Sequence, residues 1–282
     1  MKFENIINTI QLGSCYDLIK DIPDKSIDLV YIDIPYLYQQ GGSGTSALGE
    51  RTAKKRLELM GADEKYINNF TDKREALRIA KNTKSKDLQL TNIENGIDYS
   101  IFDELCRVMK NIYIYIWCSK LQINDIMNYF LKKECNFEIL VWCKTNPTPT
   151  TNNSWLPDIE YCLMFREKGT KLNHGYELKH KYYVSSANVY DKEMYKHPTI
   201  KPLEFVKQHI LHSTQPNDIV LDCFCGSGTT CVACKETGRR YIGMEISKTY
   251  CDIAINRLNG IDANGQISIF ANFENLDNEE IK

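Results

Sequence analysis

Runs of four to eight apolar, β-branched or aromatic residues recur along most of the chain, each bounded by polar or glycine-rich breaks. They predict strands at Asn8–Leu12, 27–33, Asn111–Cys118, Phe137–Cys143, Ile159–Phe165, Ile219–Leu221 and Tyr241–Met244. Between several of these the spacing shifts to a helical period. Helices are expected at Tyr16–Lys20, at Ile101–Lys110 with Phe102, Leu105 and Met109 on one face, and at Leu121–Lys132. A further helix from Cys231 to Thr237 has Gly238 placed to end it. Strands alternating with helices predict one α/β domain over residues 1–282. One stretch breaks the pattern. Residues 37–97 lack a clear core period, begin with Gly41-Gly42-Ser43-Gly44 soon after Leu37, and read as a charged flexible insertion with partial helix. There is no internal repeat.

The strand at 27–33 runs into Asp33-Ile34-Pro35-Tyr36. Open α/β sheets bind ligands at the carboxyl ends of their strands, which makes this turn a candidate site. A carboxylate there can hydrogen-bond a base amine, the proline stiffens the turn, and the tyrosine offers a face for stacking. A plain strand end turned by Ile-Pro fits the same four residues. A distant second motif changes the balance. Ile219–Leu221 leads into Asp222-Cys223-Phe224-Cys225-Gly226-Ser227-Gly228-Thr229-Thr230, a strand and glycine-rich turn before a helix. Such a turn brings unblocked backbone close to a ligand. The third glycine of a dinucleotide fingerprint would fall at Cys231, which disfavours a nicotinamide-dependent enzyme, and no Gly-Lys-Ser/Thr follows to make a phosphate loop. The next strand ends at Glu245, where an acid can hold ribose hydroxyls. A nucleoside cofactor without pyrophosphate fits better, and S-adenosylmethionine is such a molecule.

With these residues the chain resembles the amino-methyltransferases of DNA in their permuted β-class order. Asp33-Ile34-Pro35-Tyr36 matches that family's Asp/Ser/Asn-Pro-Pro-Tyr motif, and Phe224-Cys225-Gly226-Ser227-Gly228 matches its Phe-x-Gly-x-Gly loop. His197-Pro198-Thr199-Ile200-Lys201-Pro202 matches its His-Pro-Thr-x-Lys-Pro segment. The likeness covers residues 8–36 and 98–258. It implies a Rossmann-like, S-adenosylmethionine-dependent methyltransferase fold, circularly permuted, with DNA-recognition insertions. It also implies methyl transfer to the amine of a base flipped out of DNA. Asp33 and the Ile34 carbonyl would accept the amine hydrogens, Pro35 would hold the turn, and Tyr36 would stack on the base. Ser14, Cys15, His197, Thr199, Lys201, Asp222, Phe224, Cys225, Gly226, Gly228 and Glu245 would line the cofactor. Within that set Ser14 would face the adenine, Glu245 the ribose, and Thr199 and Lys201 the methionine end. His197 fits a structural anchor of its turn equally well.

Two positions depart from the family. Ile34 replaces a usual proline, but the hydrogen bond needed there comes from its carbonyl, and Pro35 keeps Ile34 extended. Leu12-Gly13-Ser14-Cys15 lacks the aspartate usual after the first strand, leaving Ser14 to bind without a charge and with modestly weaker cofactor affinity. Asp at the head of the motif favours adenine N6 as target. Cytosine N4 is the alternative, and an inactive DNA-binding homologue comes third.

Composition adds bounds. The 282 residues are 43% hydrophobic, enough for one core. No stretch of eighteen apolar residues suggests a membrane span, and no basic-apolar leader precedes Phe3. Eleven cysteines, an odd number, point to reduced thiols and a cytoplasmic protein. Cys223, Cys225, Cys231 and Cys234 read as small buried residues of a loop and helix, so no metal is expected. Net charge is −2, yet residues 51–90 hold eleven Lys/Arg against six Asp/Glu, and 166–201 hold eight against four. A basic excess suits DNA phosphates, and it equally suits a solvated face. Residues 166–196 are the target-recognition segment that the resemblance implies, with Tyr176, Tyr182, Tyr183, Tyr190 and Tyr195 set among lysines and His180. Packing of a small subdomain by the same tyrosines is the competing reading. DNA is the expected partner, with a homodimer and a separate restriction endonuclease allowed by the family.

Overall fold

The strand β2 (Leu29–Asp33) has its first four residues buried, as befits a strand covered on both faces. It lies between β3 (Tyr113–Cys118) and β7 (Ile219–Asp222), parallel to both. The computed structural model describes residues 2–37, 96–147, 149, 155–173, 175, 179–187, 191, 194–195, 200–262 and 265–266. Contacts divide the chain into two units, one of residues 1–34, 97–147 and 158–282, the other of 35–96 and 148–157. The first unit carries the sheet. In the second, only 35–37, 96, 149 and 155–157 are described, so the expected 37–97 insertion lies almost wholly outside the described residues.

The sheet has eight strands in the order β1-β8-β7-β2-β3-β5-β4-β6. The others are β1 (Thr9–Leu12), β4 (Asn136–Lys144), β5 (Ile159–Arg166), β6 (Tyr182–Ser185) and β8 (Arg240–Glu245). β5 runs antiparallel to β3 and β4, and every other pairing is parallel. β2 precedes β7 by about two thirds of the chain yet lies beside it, which is the permuted order. Six helices accompany the described strands: α1 (Cys15–Leu18), α2 (Ile101–Val108), α3 (Ile123–Leu131), α4 (Leu203–Ser213), α5 (Thr229–Glu236) and α6 (Lys248–Leu258).

Alternation along the strands feeds two cores. Val30, Ile32, Ile114 and Ile116 pack with Phe102 and Leu105 of α2 and Ile126 and Phe130 of α3. Leu29, Tyr31, Tyr113, Tyr115 and Trp117 point the other way, onto Phe205, Val206 and Ile210 of α4 and Cys231, Ala233 and Cys234 of α5. The second core is aromatic, and its buried polar tips are bonded to one another. Trp117 Nε1 donates to the Tyr31 hydroxyl at 3.0 Å, and that hydroxyl meets His209 Nδ1 at 3.0 Å. Burial, followed by the neighbouring His212, pushes His209 down to about 3, so it is a neutral part of this network.

All seven expected strands are present with modest shifts at their ends. β6, α4 and α6 are not among the expected elements. α4 buries Phe205, Val206, His209, Ile210 and His212, a helical period in which two histidines stand in for apolar residues. α6 buries only Cys251, Ala254 and Arg257, a stripe too short and polar to announce a core face. Residues 166–196 also differ from a purely DNA-facing segment. Tyr183 stacks on Phe205 with ring centroids 5.0 Å apart, and Tyr195 lies 5.0 Å from the Arg257 guanidinium. Tyr182 is exposed, whereas Tyr176 and Tyr190 lie outside the described residues.

Gly243 lets α5 press against β8. A methyl group there would meet Cys231 Sγ and Ile10 Cγ1, each at 3.0 Å, with Cys225 Sγ at 3.3 Å. Gly243→Ala is therefore expected to destabilise the fold by about 1–3 kcal/mol through overpacking. Urea unfolding of the two proteins measures it.

Candidate active site

Pairing between β2 and β7 stops early. Their register runs only from Leu29↔Val220 to Val30↔Leu221. Beyond it β2 stays with β3 as far as Asp33↔Trp117, and β7 stays with β8 as far as Asp222↔Gly243. The two central strands thus part at their carboxyl ends. Here too the connections reverse direction, β7 leading through α5 to β8 and β2 through α2 to β3, which makes this the switch point where such sheets bind ligands. Asp33 stands on one lip of the opening and Asp222 on the other.

The glycine loop fills the β7 side. Gly226 and Gly228 have φ of +51° and +76°, and a side-chain carbon on Gly228 would sit 3.0 Å from Ala254 Cβ. Glu245 at the end of β8 knits the loop together, accepting from the Gly226 amide at 2.9 Å through Oε2 and from the Ser247 amide at 2.8 Å through Oε1. Asp222 accepts from the Phe224 amide at 3.1 Å. Arg257, buried beneath the loop, donates to Thr229 Oγ1 at 2.8 Å and to Ser227 at 3.3 Å. Gly13 donates its amide to the Glu245 carbonyl at 2.9 Å, which brings Ser14 and the buried Cys15 to the start of α1 beside this loop. Cys225 is buried, and Phe224 packs partly against the first core.

Burial pushes Asp222 up to about 7, against hydrogen bonds from Thr230 and Phe224 and with Asp33 and Glu245 adding repulsion. Burial likewise raises Glu245. Two carboxyl groups at the glycine loop suit a ligand that carries positive charge, which would favour their ionised forms. The loop thiols are not poised to act on that ligand. Burial pushes Cys15 up to about 12 and raises Cys223 well above the usual thiol range, while a hydrogen bond with Cys231, reinforced by burial, raises Cys225.

On the β2 side, Asp33 Oδ2 receives Lys201 Nζ at 2.5 Å. The family pattern assigns Lys201 to the methionine end of the cofactor, whereas its bond in the structure is to Asp33. Glu160 Oε2 lies 3.2 Å from the same ammonium, and the Trp117 ring lies 5.1 Å below it. Ile34 donates its amide to the Trp117 carbonyl at 3.2 Å, a bond that proline could not make, and its side chain is buried in the first core. The departure at this position thus suits its surroundings. Pro35 and Tyr36 belong to the second unit, and His197 and Thr199 lie outside the described residues. Glu160, Trp117 and Arg257 went unnoticed in the sequence. Glu160 had one signal there, a lone acid next to the start of an otherwise apolar strand.

A family model described as DNA methylase, of the N6/N4 methyltransferase group, matches residues 27–256. The chain belongs to that family. The type II methyltransferase M.HinfI of Haemophilus influenzae is 29% identical over 94% of this chain and 72% of its own length. M2.DpnII of Streptococcus pneumoniae, also a type II methyltransferase, is 27% identical over 86% of each chain. Among solved structures, the complex of M1.HpyAVI with its SAM cofactor superposes with a TM-score of 0.58 at 22% identity, covering 89% of this chain and 99% of that one. The cytosine-N4-specific PvuII DNA methyltransferase gives 0.58 at 15% identity, covering 94% and 90%. These last two likenesses establish the methylase fold. No helix among the described residues is long and apolar enough to cross a membrane.

The raised Asp222 carboxyl has a consequence for stability. Between about pH 4 and pH 7 the native methylase holds a proton that the unfolded chain releases, so stability falls as pH rises through that window. Asp222→Asn keeps an acceptor for the Phe224 amide while removing the charge. It is expected to flatten this slope and raise Tm above pH 7, as thermal melts on either side of the window would show.

Proposed function

We propose that the protein transfers a methyl group from S-adenosylmethionine to the N6 amine of an adenine flipped out of DNA. The observation that carries this reading is the parting of β2 and β7. It sets the Asp33-Ile34 turn across a crevice from a glycine loop rimmed by Asp222 and Glu245. When bound there, S-adenosylmethionine supplies a methyl group made electrophilic by a sulfonium charge. The rim carboxyls suit that charge, and the two φ-positive glycines let the backbone approach a nucleoside closely.

An exocyclic amine is a weak nucleophile because its lone pair is delocalised into the base ring. Asp33 accepts one amine hydrogen and the Ile34 carbonyl the other, which turns the lone pair out of the ring plane and aims it across the crevice. Fixing that direction supplies much of the rate enhancement. Lys201 beside Asp33 stays charged. Burial works against its proton, but Asp33 and Glu160 outweigh burial and raise it above the usual lysine range. Asp33 therefore works opposite a fixed cation, as a hydrogen-bond acceptor that orients the amine. Tyr36 takes the stacking role that the motif implies. The aspartate heading the motif supports adenine over cytosine N4. The type II designation of the relatives supports a role beside a separate restriction endonuclease, and a DNA substrate supports a cytoplasmic location.

Purified protein incubated with DNA and methyl-labelled S-adenosylmethionine is expected to place label in N6-methyladenine. Asp33→Ala should lower that incorporation by at least about a hundredfold. Label in N4-methylcytosine would overturn the choice of base, and incorporation equal to that of Asp33→Ala would overturn the enzymatic reading.

A further inference from the structure

Four charged side chains from four parts of the chain alternate in sign across the carboxyl end of the sheet. Lys144 Nζ, at the end of β4, lies 2.5 Å from Glu160 Oε1. Glu160 Oε2 lies 3.2 Å from Lys201 Nζ, which in turn lies 2.5 Å from Asp33 Oδ2. Lys144 and Lys201 each stand 5.1 Å from an indole ring, of Trp142 and Trp117 respectively. Glu160 reaches this end because β5 is antiparallel. Its first residues lie level with the last residues of β3 and β4, with Tyr161 opposite Cys118 and Glu160 opposite Trp142.

We propose that Glu160 is a positioning residue for methyl transfer, holding the Lys201 ammonium in one place on Asp33, with Lys144 anchoring Glu160 from the far side. The inference rests on the reading of Asp33 as the acceptor for the base amine. An ammonium has three hydrogens and no preferred direction of its own. With Asp33 as its sole carboxylate, Lys201 can slide over that group and change how it presents itself to an incoming amine. A second carboxylate on the opposite side removes this freedom. The indole of Trp117 closes a third side, and its own carbonyl holds the Ile34 amide, so the catalytic turn and the cation share one support.

Glu160 and Asp33 raise Lys201 against the burial that opposes its charge. Titratable groups facing it among the described residues include Asp33 from β2, Cys118 from β3, and Glu160 and Cys162 from β5. Burial pushes Cys118 up to about 12 and raises Cys162 well above the usual range, so both thiols stay neutral. Glu160 is held down to about 2, where Lys201 and Lys144 outweigh the burial that opposes its charge. Removing the Glu160 charge takes away one of the two carboxylates that hold the proton on Lys201 against burial.

The test compares the full-length protein with Glu160→Gln and Glu160→Asp, after circular dichroism shows that each is folded. NMR titration of isotope-labelled lysines across a pH series, with Lys201→Met used to assign the Lys201 signal, reports the ammonium independently of catalysis. Lys201 in Glu160→Gln should titrate at lower pH than in the wild type, and in Glu160→Asp it should fall between the two. In methyl-transfer assays Glu160→Gln should lower kcat roughly ten- to a hundredfold with KM for S-adenosylmethionine nearly unchanged. The alkaline limb of its pH profile should also move to lower pH. Unchanged Lys201 titration in Glu160→Gln would overturn the proposal. So would parallel losses of kcat and cofactor affinity with an unmoved pH profile, since those mark a structural role. If the wild type transfers no methyl group while the Lys201 titration shift is seen, Glu160 holds Lys201 as inferred, and it is the amine-acceptor reading that fails.

Discussion

The parallel seam between β2 and β7 is the junction on which the methylase site depends. It consists of two register pairs, Leu29 with Val220 and Val30 with Leu221. Asp28 secures its lower end, exchanging backbone and side-chain hydrogen bonds with Ile219 at 2.9–3.0 Å while pairing with Lys110 at 2.6 Å. The seam must be tight at one end and open at the other. Closure brings together parts of the chain almost two hundred residues apart, and opening creates the cleft between the Asp33 turn and the glycine loop. Each central strand follows its outer neighbour away from the seam. The cleft is therefore set by β3 and β8 as much as by the two strands that border it.

Charge is distributed unequally between the two lips. Asp222 and Glu245 gather on the glycine-loop side with backbone amides and a hydroxyl as their partners, and burial, outweighing those hydrogen bonds, leaves both carboxyls harder to ionise. Asp33 has a lysine at 2.5 Å instead. Among the described residues, the two lips thus differ: no cation is bonded to Asp222 or Glu245, whereas Asp33 has one. That asymmetry fits a positively charged donor on one side and a neutral amine on the other.

Much of this was legible in the sequence. The strands were, because their alternating apolar residues face two cores and leave a period that single residues cannot hide. The Asp33 turn and the glycine loop were legible because both use short, contiguous runs whose backbone needs are specific. Glu160 and Arg257 were not, because their importance comes from pairing across the sheet or beneath a loop, and nothing near them in the chain records the partner. α6 was hidden for a related reason, since one of its three buried residues is an arginine with polar partners in the glycine loop. Lys201 was read through its own segment, and only the fold reveals that it lies against Asp33. The tyrosines of 166–196 divide in the same way. Tyr183 and Tyr195 are packing residues by virtue of Phe205 and Arg257, neither of which is nearby in sequence.

The permuted strand order also has a bearing on how the protein is made. β2 leaves the ribosome early and pairs with β3, but its other edge has no partner until β7 has been synthesised. At about 5–20 residues per second, that interval is roughly 10–40 s. For that time a central, largely buried strand presents an open edge, the condition under which nascent chains associate with one another. It also means that Asp33 exists long before the cleft it borders, so a truncated or stalled chain carries the Asp33 turn without the glycine loop that faces it.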